Sequence, residues 1–283
     1  MADSRVILLT GAAGIVGTQL RAHLCHRYGE VRLTDRVGLE GLKGNETFKQ
    51  GDLTDMTFLE SVMQGVSGVV HLGGVVGPAF DFPEVLSANI VGTHNVFEAA
   101  RKASIQHLVY ASSAHVVGFY RRGKPLDEQV PMRPNGEYAV SKAYGELLAS
   151  YYCDNFAMNI LSIRIGYVGD DFSKERRLRT WISGRDLMQL VDIGLTSVEG
   201  HEVVFGVSDN PEGFFCNDNA YRLGFKPLDT STDRLDSSGP VDFTPNLESI
   251  EDGLVGGGFA AHGFQGDAKR LLKRMPLSDE EGG

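Results

Sequence analysis

The first 35 residues of the chain carry the pattern that most constrains its fold. Residues 5–10 form a short apolar run that Gly11 stops, residues 14–27 have a helical period, and residues 30–35 form a second apolar run. Strand, tight turn, helix and second strand in this order predict a βαβ unit, whose two strands run parallel. A chain that begins in this way is expected to form an α/β sheet with helices on both faces.

The same alternation continues to residue 165. Further strands are predicted at 47–50, 66–72, 106–111 and 159–165, and they are separated by helices at 56–63, 83–104 and 136–156. We therefore predict an α/β fold with a Rossmann-type doubly wound parallel sheet of about six strands.

Composition excludes several classes of function. The 283 residues are 42% hydrophobic and 23% charged, as in ordinary soluble proteins, and the net charge of −10 argues against a nucleic-acid partner. Cys25, Cys153 and Cys216 are too scattered for a disulfide framework or a metal site. Apolar runs are too short for a signal peptide or a membrane span, so a cytoplasmic protein is expected, with a homo-oligomer left open.

The turn after the first strand predicts a nucleotide site. Residues 10–17 read T-G-A-A-G-I-V-G, with glycines at Gly11, Gly14 and Gly17. Glycine lets the backbone turn sharply, and the helix that starts at Ile15 and Val16 would hold a pyrophosphate at its N-terminus. The spacing is G-x-x-G-x-x-G, so a purely structural turn is the alternative.

Asp35, at the end of the second strand, predicts which dinucleotide binds. A carboxylate at this position accepts hydrogen bonds from ribose hydroxyls and repels a 2′-phosphate, which favours NAD over NADP. The neighbouring Arg36 either attracts a 2′-phosphate or is a solvated loop charge.

Other strand ends supply further candidate cofactor contacts, because ligands of parallel sheets bind at the carboxyl edge. Asp52 follows the third strand and would reach the adenine, unless it caps the next helix. The remaining cofactor-binding candidates are Leu53, Leu72, Gly73, Gly74, Asn89 and Ile165. His71 is interpreted as a core residue.

Tyr138 and Lys142 predict the chemistry. They are four residues apart on a predicted helix, so both project from one face, where a positioned ammonium favours the phenolate form of the tyrosine. About 25 residues earlier, Ser112 and Ser113 end a strand at the same carboxyl edge. Ser113 would orient a substrate hydroxyl while Tyr138 takes its proton.

These predictions divide the chain into three parts. Residues 1–165 would form the dinucleotide-binding domain, and residues 166–229 a small substrate-binding portion that caps the sheet, with a helix at 185–195 and a strand at 202–206. The tail at 230–283 contains the glycine run 256–258 and is expected to pack loosely. Residues 278–283 are expected to be disordered.

The chain resembles an extended short-chain dehydrogenase/reductase of the NAD-dependent epimerase/dehydratase family, and more closely the uronate dehydrogenases. The matching motifs, which span residues 5–228, are the glycine turn, V-H-L-G-G at 70–74, S-S-A-H at 112–115, Y-A-V-S-K at 138–142, R-I-G at 164–166 and T-W-I-S at 180–183. The resemblance implies that Tyr138 is the base and that Lys142 binds the nicotinamide ribose and lowers the tyrosine pKa. It also implies hydride transfer from C1 of a uronate to NAD, giving an aldarolactone.

The resemblance also implies substrate contacts. Arg176 would hold the substrate carboxylate, with Arg177 and Arg179 as competitors, and His115 would touch the sugar. Three polar contacts of the family are replaced, and the residues at these positions are Val76, Ala114 and Tyr167. Changed contacts imply a changed substrate, so the reaction type is better supported than the identity of the sugar.

Three functions are consistent with this pattern. The first is an NAD-dependent dehydrogenase of a uronate or related aldose. The second is an NAD-retaining nucleotide-sugar epimerase or dehydratase, against which stand a short C-terminal portion and the lack of an obvious second base. The third is a non-catalytic NAD-binding regulatory protein, which the presence of Tyr138 and Lys142 disfavours.

Overall fold

The computed structural model describes residues 3–235 and 245–275. Within these residues one sheet of seven parallel strands has the order β3-β2-β1-β4-β5-β6-β7. The strands are β1 (Asp3–Thr10), β2 (Tyr28–Asp35), β3 (Glu46–Gln50), β4 (Gly68–His71), β5 (His107–Ser113), β6 (Asn159–Ile165) and β7 (His201–Gly206). The predicted doubly wound parallel sheet is confirmed.

Helices cover both faces of the sheet. They are α1 (Ile15–Arg27), α2 (Met56–Val62), α3 (Phe82–Val85), α4 (Gly92–Lys102), α5 (Glu137–Phe156), α6 (Glu175–Thr180), α7 (Gly184–Thr196), α8 (Asp218–Arg222), α9 (Ile250–Gly253), α10 (Gly258–Ala261) and α11 (Ala268–Lys273). None of those in the described part of the chain has the length and apolar character of a bilayer span.

Alternation along β1 shows how the two faces are built. Ile7 and Leu9 pack in one core with residues of α1 and α7, whereas Leu8 packs in the opposite core with residues of α2, α4 and α5. All three leucine and isoleucine side chains are fully buried. A central strand that is apolar on both faces is typical of a parallel sheet between two helical layers.

The strand order creates a crevice between β1 and β4. From β1 the chain moves outward through β2 and β3, then returns to the other side of β1 with β4. The carboxyl ends of β1 and β4 are joined by a hydrogen bond from Leu72 N to Thr10 O (3.2 Å). Ligands of open α/β sheets bind at this switch point, and the glycine turn lies there.

The sheet extends further than the sequence predicted. The strand that we assigned to the capping portion is β7, and it pairs in parallel with β6 from Ile160↔His201 to Ile165↔Gly206. The strand at 202–206 therefore belongs to the main sheet, because the helix α7 is a crossover connection that returns the chain to that sheet. The local sequence pattern of such a strand is the same whether the strand joins the main sheet or forms a separate sheet in a capping portion.

The predicted helix at 83–104 is interrupted. Between α3 and α4 the segment Leu86–Val91 is a π-helix, so an extra residue is inserted into the helical turn. The segment contains Asn89, whose side chain is buried and hydrogen-bonded to the backbone of Val75.

The prediction of a loosely packed tail is wrong for residues 245–275. These residues form three short helices around a buried cluster, whose members are Ile250, Leu254, Ala260, Leu272 and Met275. Backbone hydrogen bonds from Val255 N to Tyr120 O and from Gly256 N to Gly118 O, both 2.9 Å, attach the segment to the loop after β5. Each helix is too short to show a readable period. Residues 278–283, expected to be disordered, lie outside the described residues.

Leu254→Ala tests this packing. Leu254 is fully buried, so its truncation should lower the free energy of unfolding by about 2–5 kcal/mol. The matched control is Leu228→Ala, because Leu228 is 61% exposed and its loss should change stability by less than about 0.5 kcal/mol. Urea denaturation measures both, and equal stability of the two variants would show that the tail is not part of the core.

Candidate active site

A cavity of about 1560 Å³ runs along the carboxyl edge of the sheet. Single small ligands occupy pockets of roughly 300–1,000 Å³, so this one has room for a dinucleotide and a second small molecule. The predicted residues that line it are Gly11, Gly14, Ile15, Val16, Gly17, Asp35, Arg36, Asp52, Leu53, Leu72, Gly73, Gly74, Val76, Ser113, His115, Tyr138, Lys142, Ile165, Tyr167 and Arg176. The fold thus gathers most of the predicted contacts in one place.

The glycine turn fits a bound pyrophosphate. Gly11 has a φ of +70°, and a Cβ at this position would lie 2.7 Å from Gly73 N, so no other residue fits there without movement. Helix α1 starts after Gly14, which receives no side-chain cap from the described residues. Within the described part of the chain the first N–H groups of α1 therefore have no side-chain cap, and they lie at the cavity where an anion could bind.

Asp35 is placed to bind ribose. Its Oδ2 accepts a hydrogen bond from Ala13 N (3.0 Å) and its Oδ1 accepts one from Val37 N (3.2 Å). These bonds fix the carboxylate at the cavity wall and leave lone pairs for hydroxyl donors. The neighbouring Arg36 is exposed and also lines the cavity.

Asp52 is not the cap of α2. Its Oδ1 accepts hydrogen bonds from the N and Oγ1 of Thr54, both at 2.8 Å, whereas the N-cap is Asp55, which accepts from Phe58 N (3.0 Å). The Asp52 carboxylate lines the cavity beside Leu53. The position is thus compatible with the predicted adenine contact.

Asn89, a predicted cofactor contact, lies behind the cavity wall. Asn89 is 1% exposed, and its side chain is saturated by Val75 N (2.8 Å), Val75 O (3.0 Å) and Ser141 Oγ (2.9 Å). Ser141 in turn donates to Tyr138 O (2.6 Å). Asn89 therefore supports the cavity wall and α5 from behind.

The structure also corrects the assignment of Ala114 as a substrate contact. Ala114 is fully buried in an apolar cluster with Val116, Val117 and Phe205, beneath the cavity. Two of the three replaced family contacts, Val76 and Tyr167, do line the cavity.

Ser113, Tyr138 and Lys142 meet at the carboxyl end of β5. Ser113 Oγ accepts a hydrogen bond from His115 N (3.2 Å), which leaves the serine proton for an acceptor in the cavity. Ser113 is close enough to Tyr138 to lower the pKa of its phenol. Lys142 is 3% exposed, and its Nζ lies 5.9 Å from the centroid of the Tyr138 ring and 5.2 Å from that of Tyr110.

Burial dominates the pKa values of this group. It raises the pKa of Tyr138 to about 12, against the opposing effect of the Ser113 hydrogen bond, and it lowers the pKa of Lys142 to about 8. The Lys142 amine lies over the ring face of Tyr138 rather than beside its oxygen, so in this geometry burial has the larger effect on the phenol.

The three candidate arginines are distinguished by their partners. Arg177 pairs with Asp171, and Arg179 pairs with Glu175 and Glu212, both at 2.5 Å. Arg176 has no carboxylate partner among residues 3–235 and 245–275.

The Arg176 guanidinium is held at the cavity wall. Its Nε donates to Val255 O (2.6 Å), and a Cβ on Gly257, where φ is +59°, would lie 2.5 Å from Arg176 Cδ. Burial, with a further contribution from Arg122, lowers the pKa of Arg176 to about 10. The guanidinium is thus charged at neutral pH, and its terminal nitrogens remain available for an anion.

Phe259 is a site residue that the sequence prediction missed. Its ring stacks on His115 at 4.3 Å and 11°, and it lies 6.5 Å from the Tyr138 ring. Burial, with Arg176 nearby, holds the pKa of His115 well below its usual range, so the imidazole is neutral. The Asn135 amide can join His115 O (2.8 Å) to Ala260 N (3.0 Å) and so fix the tail on the site. An aromatic residue directly after three glycines was the available signal.

The chain matches the NAD dependent epimerase/dehydratase family over residues 7–198. This is more than half of its length, and the protein belongs to that family. The membership confirms the predictions of an enzyme and of NAD as its cofactor.

Individual relatives narrow the comparison. Uronate dehydrogenase of Pseudomonas putida is 41% identical over 228 residues, which cover 80% of this chain and 84% of the relative. NAD-dependent glucose-6-phosphate dehydrogenase of Haloferax volcanii is 33% identical over 257 residues, or 83% of this chain and 98% of the relative. The crystal structure of uronate dehydrogenase from Agrobacterium tumefaciens has a TM-score of 0.82 at 34% identity, covering 91% of this chain and 97% of that one. A mutant of that enzyme has been solved with NAD.

Lys142→Met tests the burial of the amine. The folded pKa of Lys142, about 8, is below its ordinary value of 10.5, so the unfolded chain binds more protons between these values. The free energy of unfolding should therefore rise with pH from 8 to 10.5, and the full burial cost is present below pH 8. At pH 7 the variant should be more stable than the wild type by about 2–3 kcal/mol. Its free energy of unfolding should also increase less than that of the wild type between pH 8 and pH 10.5.

Urea denaturation at pH 7 and at pH 10 measures both effects. Lys226→Met is the control, because Lys226 is exposed and its replacement should leave stability nearly unchanged. Equal stabilities of the wild type and Lys142→Met at both pH values would contradict the burial of a desolvated amine.

Proposed function

We propose that the protein is an NAD-dependent dehydrogenase that oxidises the C1 hydroxyl of a hexuronate to a lactone. The observation that carries this proposal is Arg176. It is a guanidinium without a carboxylate partner in the described chain, and it lies in the same cavity as the Ser113–Tyr138 pair and the dinucleotide turn. A planar cation of this kind is suited to bidentate binding of a substrate carboxylate.

The relatives support an anionic sugar. Two kinds of relative are named for uronates and for glucose 6-phosphate, and both substrates carry an anion at the end of the sugar opposite C1. A carboxylate and a phosphate are both possible ligands of Arg176. The closer sequence identity of the uronate dehydrogenases favours the carboxylate.

The residues of the chain divide the catalytic work. When bound, NAD supplies the acceptor for the hydride. Tyr138 takes the hydroxyl proton, Ser113 holds the reacting oxygen through its own proton, and Lys142 supplies the positive charge that the phenolate requires. Because burial raises the pKa of Tyr138 to about 12, proton abstraction depends on Lys142 and Ser113 acting together.

The wall around the sugar is less polar than that of the family pattern. Val76 is 62% exposed and lines the cavity, and the Tyr167 hydroxyl accepts a hydrogen bond from Asp171 N (3.0 Å). A sugar hydroxyl that faces Val76 has no hydrogen-bond partner there, whereas a serine at this position would supply one. The sugar accepted here is therefore expected to differ, at the carbon that faces Val76, from one that needs the serine contact. We therefore propose the class of substrate and leave its stereochemistry open.

A homo-oligomer stays a prediction. Three apolar side chains on the outer surface of α5 are exposed, namely Val140, Leu147 and Tyr151. Sedimentation equilibrium would test self-association, and a monomer at all concentrations would exclude it.

Tyr138→Phe tests the base. The variant keeps the ring but lacks the oxygen that takes the proton, so kcat should fall by at least about 100-fold. The affinity for NAD, measured by calorimetry, should change little. An unchanged kcat would contradict the mechanism.

Arg176→Ala tests the carboxylate site. Loss of a charge-assisted pair should raise KM for glucuronate by roughly 10- to 100-fold, while the weak turnover of glucose should be unaffected. Arg177→Ala is the control, since Arg177 already pairs with Asp171. Glucose 6-phosphate is measured in parallel, and equal effects of Arg176→Ala on charged and neutral sugars would remove the assignment.

A further inference from the structure

A buried carboxylate lies one helical turn beyond Lys142. Glu146 of α5 is 1% exposed and accepts hydrogen bonds from two side chains of the sheet, Ser112 and Arg164, including a longer one from Arg164 Nε to Oε2 (3.3 Å). Ser112 Oγ donates to its Oε1, Arg164 Nε donates to the same oxygen (3.0 Å), and an Arg164 terminal nitrogen donates to its Oε2 (2.9 Å). The carboxylate is thus surrounded by donors.

Its partners lie side by side at the carboxyl edge. Ser112 of β5 and Arg164 of β6 are register partners in the sheet. The other terminal nitrogen of Arg164 donates to Glu128 O (3.2 Å), and the guanidinium lies 5.6 Å from the Phe205 ring of β7. Glu146 therefore joins α5 to the ends of two strands at once.

The alignment of the catalytic groups depends on this junction. Tyr138 and Lys142 are two turns and one turn before Glu146 on the same helix, and Ser113 directly follows Ser112 on β5. Helix and strand are in close contact beside the junction, since a Cβ on Gly145 would lie 2.2 Å from the Tyr110 hydroxyl. A shift or rotation of α5 on β5 would change the position of the Tyr138 phenol relative to Ser113.

Stability alone is a poor explanation of the ion pair. Burial of two charges removes their hydration, and apolar residues of similar size often stabilise a core as well or better. Hydrogen bonds are directional, and those from fixed strand positions to Glu146 set the rotation of α5 and its position along the sheet. Apolar side chains would pack in the same space without fixing either.

We propose that Glu146 and Arg164 are positioning residues that align Tyr138 on α5 with Ser113 on β5. This inference rests on the proposed function in one respect, namely that Tyr138 takes the substrate proton.

The chain contains a matched control. Arg21 and Glu46 form a second buried pair (2.7 Å), and Glu46 also accepts from Lys43 N (2.8 Å) and Cys25 Sγ (3.0 Å). Glu46 begins β3 at the opposite edge of the sheet. The two pairs have similar chemistry and burial, and they differ in their distance from the active site.

The experiment compares Glu146→Gln, the double variant Glu146→Leu/Arg164→Met and Glu46→Gln with the wild type. The double variant leaves no unpaired buried charge and therefore guards against simple misfolding. For each protein, kcat and KM with glucuronate are measured, along with urea stability. The ionisation of Tyr138 is followed by ultraviolet difference titration against Tyr138→Phe, a readout that needs no substrate.

Misalignment of Tyr138 and Ser113 should change both kcat and the pKa of the Tyr138 phenol. Both Glu146 variants should lose about 10- to 100-fold in kcat with a KM that changes by less than about threefold. The Tyr138 pKa should rise in both, because a displaced α5 carries the phenol away from Ser113, the neighbour that lowers this pKa. Glu46→Gln should lose stability with kcat changed by less than about twofold.

A double variant with wild-type kcat and an unchanged Tyr138 titration would overturn the inference, since the pair would then only stabilise the fold. Absence of turnover in the wild type would instead count against the proposed function. In that case the titration alone decides the inference, with a raised Tyr138 pKa supporting it and an unchanged one opposing it.

Discussion

Two ionisable side chains share one face of α5, the buried Lys142 and the half-buried Tyr138, and the site depends on their partial removal from water. Burial raises the pKa of Tyr138 to about 12 and lowers that of Lys142 to about 8, so each group resists its charged form. The Lys142 amine lies 5.9 Å from the centroid of the Tyr138 ring, so the two groups are close enough for the charge of one to affect the other. The Ser113 hydroxyl, the α5–β5 contact and the apolar ring of Tyr110 all act on this balance.

The half of the chain that surrounds the dinucleotide turn could be predicted from the sequence. The early strands are short apolar runs buried on both faces, and glycines mark the turn where backbone approaches backbone. Local rules of this kind need no knowledge of distant residues. Helical spacing and the strand end at residues 112–113 likewise predicted Tyr138, Lys142 and Ser113 as neighbours, and all three line one cavity.

The later parts could not be predicted because they depend on distant partners. Whether β7 joins the first sheet is decided by the path of α7 and by pairing with β6. The π-helical turn around Asn89 is explained by hydrogen bonds to Val75, which no local pattern shows. The orientation of Ala114, and the packing of the tail that carries Phe259, are likewise tertiary effects.

The ion pairs of the three candidate arginines also could not be predicted from the sequence. Arg176, Arg177 and Arg179 are equivalent in sequence, and only the positions of Asp171, Glu175 and Glu212 leave Arg176 as the member without an acidic partner in the described residues. Its electrostatic role is therefore a property of the fold.

The central claim is net hydride transfer from an acidic sugar to NAD. The most direct test is the yield of NADH when purified protein and excess NAD are mixed with a limiting amount of glucuronate or galacturonate. We expect an amount of NADH close to that of the sugar for at least one of the two, with the corresponding lactone as product. No net NADH with either sugar, together with NAD that remains bound through dialysis, would contradict it and indicate an enzyme that returns the hydride to its substrate.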